Sequence, residues 1–435
     1  MNRRDFLRDT TIASLTTALT SGVLTPKSAT AQRSDVREDK KEPPPPPVAT
    51  AVIGLSVQGR EIISSLARQN SSPKYVCDVY DGKIFVKKSQ AIAPTSTFTK
   101  DYRTILDDKT IQAVFVATPS HKHKQIVLDA LQAGKHVYCE APLANDINEA
   151  REIARAGSSS SSVYLFPGLQ YRSNAQHKHV WKFVKGEAMG KCVSGRAHWH
   201  KRSSWRQVWP VAEREAELNW RLNRETSLGL VGEVGIHSFD IASWYLKALP
   251  QSVVGWGSIQ EYKDGRNVAD TVQCVLQFPG NVLFNYDANL SSSFENTYEL
   301  FAGTNRSILL RDQRAWMFTE TDAPLLGWEV FARKDEYSIG STMNGSGEHI
   351  GTGIALVADA TKQLALGKDP GKLGTDVSKT ALYQSIESFL NSIRKKIKPE
   401  VTPLDGFRAT VIAAKANEAI LTGTRIDFQK EWFEL

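Results

Sequence analysis

Between positions 50 and 140 the apolar residues fall in short solid runs: Ala51-Val52-Ile53, Tyr75 to Asp81 with its Tyr-Val-Cys start, Ala113 to Pro119, and His136 to Glu140. Runs that are apolar on both faces are what the strands of a parallel sheet need when helices cover both sides. Between them the spacing turns helical, after Gly59, up to Ala133-Gly134, and from Asp146 to Ala156. Repeated βα units with short connections predict an α/β, doubly wound parallel sheet with ligands at the carboxyl ends of its strands. Beyond about Val193 the pattern becomes strand-like over residues 252–262, 272–278, 282–290 and 307–311, with turns at Asp264-Gly265 and Pro279-Gly280. Hairpins of that kind predict an α+β second domain with an open, mainly antiparallel sheet. Two amphipathic helices, about 381–396 and 406–422, are expected to pack back on the first domain. The predicted domains are residues 49–172 and 173–435.

The first 48 residues follow neither pattern. Arg3-Arg4 precedes a mildly apolar, Thr-rich stretch and then Ala29-Thr30-Ala31, which resembles a twin-arginine export signal over 1–31 with a small-residue cleavage site. Such a protein is expected to be periplasmic or otherwise exported and to begin at Gln32. Residues 32–48 are charged and end in five prolines, Pro43 to Pro47, a composition suited to an extended linker or arm. With 435 residues, 41% hydrophobic, the chain can fill two cores. Its net charge of +7 is scattered, without the basic blocks and interleaved aromatics of a nucleic-acid surface. After the N-terminal segment no apolar stretch has membrane-spanning length. Cys77, Cys139, Cys192 and Cys274 lie in apolar runs without metal-ligand spacing and read as buried thiols.

Candidate chemistry begins at Ala51 to Arg60, where Gly54, Ser56 and Gly59 occupy the positions of G-x-G-x-x-G between a strand and a helix. A helix N-terminus there would receive a pyrophosphate, with the Ser56 hydroxyl in place of the middle glycine. The bland alternative is an ordinary βα turn. Asp78, about 20 residues further on, is placed to bond ribose hydroxyls and predicts NAD over NADP. Asp81 competes for that role, and Arg60 would suit the 2′-phosphate of NADP.

Taken with Asp78-Val79, the segments Ala117-Thr118-Pro119 with His123, Ala133-Gly134-Lys135-His136-Val137 and Glu140-x-Pro142 resemble the glucose-fructose oxidoreductase and inositol 2-dehydrogenase (Gfo/Idh/MocA) family. The resemblance implies a Rossmann domain followed by an α+β domain with the substrate on one sheet face and often an oligomer interface on the other. It assigns Thr118, Pro119, His123, Glu140 and Gln170 to the cofactor. Family dehydrogenases carry a Glu-Lys-Pro motif and a later Asp-x-x-x-His pair; the matching positions here are Glu140-Ala141-Pro142 and Glu233 with His237. The i, i+4 spacing would let Glu233 orient His237, which could take a proton from a substrate hydroxyl; a satisfied core histidine is the alternative. Ala141 cannot replace the lysine, so His237 acts alone, or Tyr171 or another group substitutes, or the reaction is of another kind.

Residues 198–221 hold His198, Trp199, His200, Trp205, Trp209, Trp220 and Arg221. The indoles of Trp205 and Trp220 suit sugar faces and Arg221 an anionic substituent; sheet core is the competing reading for several of them. The two histidines lack an accompanying carboxylate or cysteine at ligand spacing, so no metal is expected. The leading function is an exported NAD(P)-dependent oxidoreductase with tightly bound cofactor, acting on a sugar or polyol as a homo-oligomer. A redox-neutral glycosidase, lyase or epimerase that oxidises its sugar transiently is the alternative, and a non-catalytic cofactor-retaining binding protein is third.

Overall fold

A computed structural model describes residues 44–207, 214–311, 314–331, 335–341, 348–358 and 379–435. The twin-arginine segment, most of the proline-rich arm and Trp209 lie outside the described residues.

Six short strands form the first sheet: β1 (Thr50–Ile53), β2 (Tyr75–Cys77), β3 (Thr97–Thr99), β4 (Ala113–Val116), β5 (His136–Cys139) and β6 (Leu165–Pro167). Their order is β3-β2-β1-β4-β5-β6 and every pairing is parallel, the doubly wound arrangement expected of the solid apolar runs. All four positions of β1 and of β4 are buried. The helix α1 (Val57–Arg68) buries Gly59, Ile62, Ile63 and Leu66, an i, i+3, i+4, i+7 stripe laid on the sheet. β2 stops short of the predicted Asp81 because the Asp78 carboxylate accepts the Tyr80 N–H at 3.0 Å and turns the chain.

The second sheet has ten strands among the described residues. These are β7 (Cys192–His200), β8 (Ser252–Ser258), β9 (Thr271–Phe278), β10 (Val282–Asn289), β11 (Thr297–Gly303), β12 (Arg306–Arg311), β13 (Arg314–Thr319), β14 (Asp335–Ser341), β15 (Glu348–Leu356) and β16 (Ile426–Asp427). The order is β14-β15-β13-β12-β11-β7-β10-β9-β8-β16. All neighbours are antiparallel except β7 and β10, which pair in parallel. β10 alternates buried and less buried positions throughout, as a sheet with one covered face requires. β8 ends at Ser258, not Tyr262, because the Asp270 carboxylate gathers the N–H groups of Gln260, Glu261 and Tyr262, each at 2.9 Å.

Near the end of the chain, α2 (Ala381–Lys395) and α3 (Pro403–Thr422) return to the first sheet. Phe389 of α2 meets the rings of Phe115, Tyr138 and Phe166, with centroids 5.5 to 5.9 Å apart. A capping box between Thr402 and Asp405 opens α3. Arg172, just after β6, is clamped between Asp240 at 2.8 Å and Asp405 at 3.0 Å. Asp240 lies on the helix Ile236–Leu246, so this ion triad joins three elements beside the last strand of the first sheet. All four cysteines are free; Cys192 is partly exposed and the others are buried.

Candidate functional site

A cleft of about 1370 Å³ opens at the carboxyl ends of β1, β2, β4 and β5, closed on its other side by residues from 199–207, 214–226 and 233–237. Its size exceeds the few hundred to a thousand Å³ usual for one small ligand.

The glycine turn builds one end. Gly54 has φ +99°, and a Cβ there would lie 2.5 Å from the Ala117 carbonyl oxygen, so only glycine fits between β1 and β4. A Cβ on Gly59 would lie 1.8 Å from the Gly54 carbonyl oxygen. Gly59 therefore serves the close approach of α1 to the turn and does not itself line the cleft. Ser56 stands at the N-cap of α1 without a side-chain cap bond and faces the cleft. Along the same wall, the Thr118 and Ser120 hydroxyls are buried without hydrogen-bond partners. A glycine cradle, a free helix N-terminus and orphaned hydroxyls fit the phosphates and hydroxyls of a dinucleotide.

Asp78 lines the cleft, yet its carboxylate already accepts the N–H of Leu55 at 2.8 Å and of Tyr80 at 3.0 Å. It braces the glycine turn as well as facing the ribose position; a carboxylate has about four acceptor sites, so two backbone bonds leave capacity for hydroxyls. Burial raises its pKa, with those backbone bonds opposing the rise. Asp81 pairs with Lys100 at 2.6 Å on the surface. Arg60 turns away: it donates to the Leu55 carbonyl at 2.7 Å and lies over Phe85, outside the cleft lining. His123 is buried, its nitrogens 3.1 Å from the Pro142 carbonyl and 2.9 Å from the Thr118 carbonyl, and burial lowers it to about 4. It ties the β4 loop to the β5 loop and has no ring nitrogen left for a ligand. Its neighbour His121, unassigned from sequence, lines the cleft with Nδ1 unpartnered. The His-x-His spacing presents both and cannot say which points inward. Pro119 and Gln170 also line the cleft.

Glu140 and Ala141 form the floor at the end of β5. The Gln58 amide donates to Glu140 at 2.9 Å. Burial pushes the Glu140 carboxyl up to about 7, opposed by Gln58, the Ala141 N–H and the charge of Arg221. Facing this floor, residues Val231–Gly235 form a π-helical turn that runs into the helix Ile236–Leu246, a local widening frequent at functional sites. The sequence pairing of Glu233 with His237 is corrected here. Glu233 accepts from Arg221 Nε and from the Ser227 hydroxyl, each at 3.3 Å, while His237 Nδ1 is buried without a partner. Burial lowers His237 to about 4, below the ordinary 6.5, so its imidazole is unprotonated at neutral pH. Tyr171 stacks on His177 at 4.5 Å and presents an edge to His237 at 5.6 Å. Its phenol pKa is raised, by burial first.

Arg221 lies over Trp220 at 4.6 Å and Trp205 at 5.9 Å. Its charge is shared by Glu233 and Glu140, where the sequence reading reserved it for an anionic substrate group. Trp205 has φ 58°, an uncommon conformation for an aromatic residue that marks a constrained position. Trp199, Trp205 and Trp220 all line the cleft. His198 and His200, in contrast, do not. Contrary to the expectation of no metal-ligand grouping, they meet Asp287 on the other side of the strand.

Residues 48–167 match the oxidoreductase family with an NAD-binding Rossmann fold, and residues 177–308 match the GFO/IDH/MocA C-terminal domain. The chain is 26% identical over 239 residues to levoglucosan dehydrogenase of Pseudarthrobacter phenanthrenivorans, covering 50% of this chain and 59% of that one. It is 24% identical over 269 residues to 2,7-anhydro-N-acetylneuraminate hydratase of Escherichia coli, covering 59% and 66%. The chain thus spans about three fifths of the length of these relatives. The solved levoglucosan dehydrogenase complex with NADH superposes on 88% of this chain and 100% of its own with a TM-score of 0.68, at 19% identity, a likeness of fold. The six-stranded sheet, the antiparallel second sheet and the two matched segments together place this chain in the Gfo/Idh/MocA oxidoreductase family, with an NAD-binding Rossmann domain.

Proposed function

We propose that this protein is an NAD(H)-dependent oxidoreductase acting on the hydroxyl of a sugar or polyol. The observation that carries the reading is one cleft holding the glycine turn, Glu140-Ala141 and an unprotonated His237 together. NAD+ supplies a hydride acceptor when bound. Gly54, Ser56, Thr118, Ser120 and Asp78 would hold it. His237 accepts the substrate hydroxyl proton on its imidazole. Tyr171, packed against that ring, stays protonated and can donate a hydrogen bond to the substrate oxygen. Arg221, steadied by two indoles and Glu233, brings to the cleft that Ala141 lines a positive charge of the kind the family lysine would carry. Lacking a removable proton at neutral pH, a guanidinium acts there by field and hydrogen bonding. Trp205 and Trp220 offer indole faces to the ring of the sugar.

Absorbance at 340 nm after mixing the protein, NAD+ and a panel of sugars and polyols tests this reading. NADH formation with one of them supports it; none with any substrate counts against it. Product without net NADH would support the redox-neutral reading, which Ala141 and the similarity to a hydratase favour. Arg221→Gln should then lower turnover about 10²-fold while NADH still binds, in line with loss of one positioned charged group.

The proposal extends to export, supported by Arg3-Arg4 and Ala29-Thr30-Ala31. An exported enzyme is best served by a cofactor carried in the folded protein and regenerated in each cycle. N-terminal sequencing of periplasmic protein should start at Gln32; an intact Met1 in the cytoplasmic fraction would refute export. A homo-oligomer through the uncovered face of the second sheet is supported by exposed Trp256 and Leu283, and light scattering of the purified chain would show a monomer if this is wrong.

A further inference from the structure

We propose that His198, His200 and Asp287 form a binding site for a divalent transition-metal ion, Zn²⁺ by its chemistry, on the face of the second sheet opposite the cleft. His198 and His200 are two apart on β7, so both imidazoles leave the same face. Asp287 on β10 stands in register with His198. The parallel pairing of these two strands thus creates a two-histidine, one-carboxylate set that no spacing along the chain displays. One ligand atom from each residue lies within 4.8 Å of the others. A tetrahedral ion with bonds of about 2.1 Å needs separations of about 3.4 Å, within reach of small side-chain rotations. His198 is 2% exposed, and the two rings stack at 4.4 Å.

Glu295 serves both histidines: its backbone carbonyl accepts from His198 Nε2 at 3.4 Å, and its carboxylate lies 3.7 Å from His200 Nδ1. Ligating histidines characteristically turn their second nitrogen to a carbonyl or carboxylate, which fixes the tautomer. His200 Nε2 is in contact with the Asp287 carboxylate, so a ligand atom of each lies where one ion could bind both. Two imidazoles and a carboxylate with an open position suit Zn²⁺. Such an ion would staple β7 to β10. The chain leaves His200 directly into Lys201, Ser203, Ser204 and Trp205, which line the cleft, so the staple would anchor that wall.

Untagged full-length protein, stripped with EDTA and titrated with ZnCl₂ by calorimetry at pH 7.5, tests the site. The expected result is one equivalent bound, with Asp287→Asn and His200→Gln each weakening it on the order of 10²-fold, and Glu295→Gln by about 10 to 100-fold. Affinity should also fall on acidification, because protons compete with the metal ion for its ligand atoms. Absence of stoichiometric binding, or equal binding by the variants, overturns the proposal and leaves the His200–Asp287 contact as an ordinary hydrogen bond. Thermal unfolding and NADH fluorescence establish that each variant is folded. Should the ligand variants not fold, Co²⁺ added to the wild type decides: visible d–d bands displaced by Zn²⁺ support the site, and a spectrum of free aqueous Co²⁺ rejects it.

Discussion

His237 sits in a half-buried position where its imidazole is held at about 4 by burial. It is therefore a hydrogen-bond acceptor through the whole neutral range; a bonded carboxylate would raise that value, and Glu233 is bonded to Arg221 and Ser227 instead. His237→Ala is expected to lower turnover by about 10² to 10⁴, the worth of a positioned base, with NADH binding unchanged; stopped-flow kinetics and fluorescence titration read the two separately. A second residue-scale expectation concerns Glu299, 4% exposed and pushed up to about 7 by burial, with the Ser238 hydroxyl bond opposing the shift. The folded carboxyl holds its proton where the unfolded one, with an ordinary value near 4.5, has lost it. Its contribution to stability is full below about pH 4.5 and lost as pH rises through about 7. Glu299→Gln removes the titration. The stability of wild type relative to this variant, measured by urea unfolding at pH 5 and pH 8, should fall on going to the higher pH; an equal difference at both would contradict the assignment.

At the scale of elements, the strand-turn-helix of β1 and α1 depends on two glycines for different reasons. Gly54 needs its positive φ and the space against Ala117, whereas Gly59 lets the first turn of α1 press on the Gly54 carbonyl. Gly59→Val would put its Cβ 1.8 Å from that carbonyl oxygen and push α1 off the sheet. The expected outcome is loss of NADH binding with a fall in Tm, since both the anion site and the packing of Ile62, Ile63 and Leu66 depend on the helix position. Unaltered NADH affinity in a folded Gly59→Val protein would show that the turn does not hold the cofactor. The fingerprint was readable because the turn is local: Gly54 and Gly59, five positions apart, make it. The π-helical turn before His237 was not, because Glu233 takes its partners, Arg221 and Ser227, from an adjoining loop.

For the molecule as a whole, the Arg172 triad links the end of the first sheet to the helix carrying His237 and to α3. Asp240 is nearly enclosed, with its side chain 4% exposed. Arg172→Gln would leave that carboxylate without its partner and should destabilise the fold by about 3 to 5 kcal/mol, measured by urea unfolding at pH 7. Periodicity along the chain was enough to indicate a parallel and a mainly antiparallel sheet, four strands of each, and the fingerprint, because burial on one or two faces imposes a repeat that local residues must obey; β3, β6, β7, β11 and β13 to β16 were not legible in it. Residue types likewise identified Gly54, Glu140, Ala141 and His237 as positions of interest. Only the tertiary structure decided where side chains point and what they meet. It turned Arg60 and His123 to backbone carbonyls, brought His121 and Arg221 to the cleft, and gave Glu233 to Arg221 instead of His237. It also set Asp287 across from His198, 89 positions away along the chain, by a parallel pairing in a mainly antiparallel sheet. Such contacts depend on strand register and loop closure over long separations, and those are fixed by the sum of packing across the molecule, which no single stretch of sequence contains.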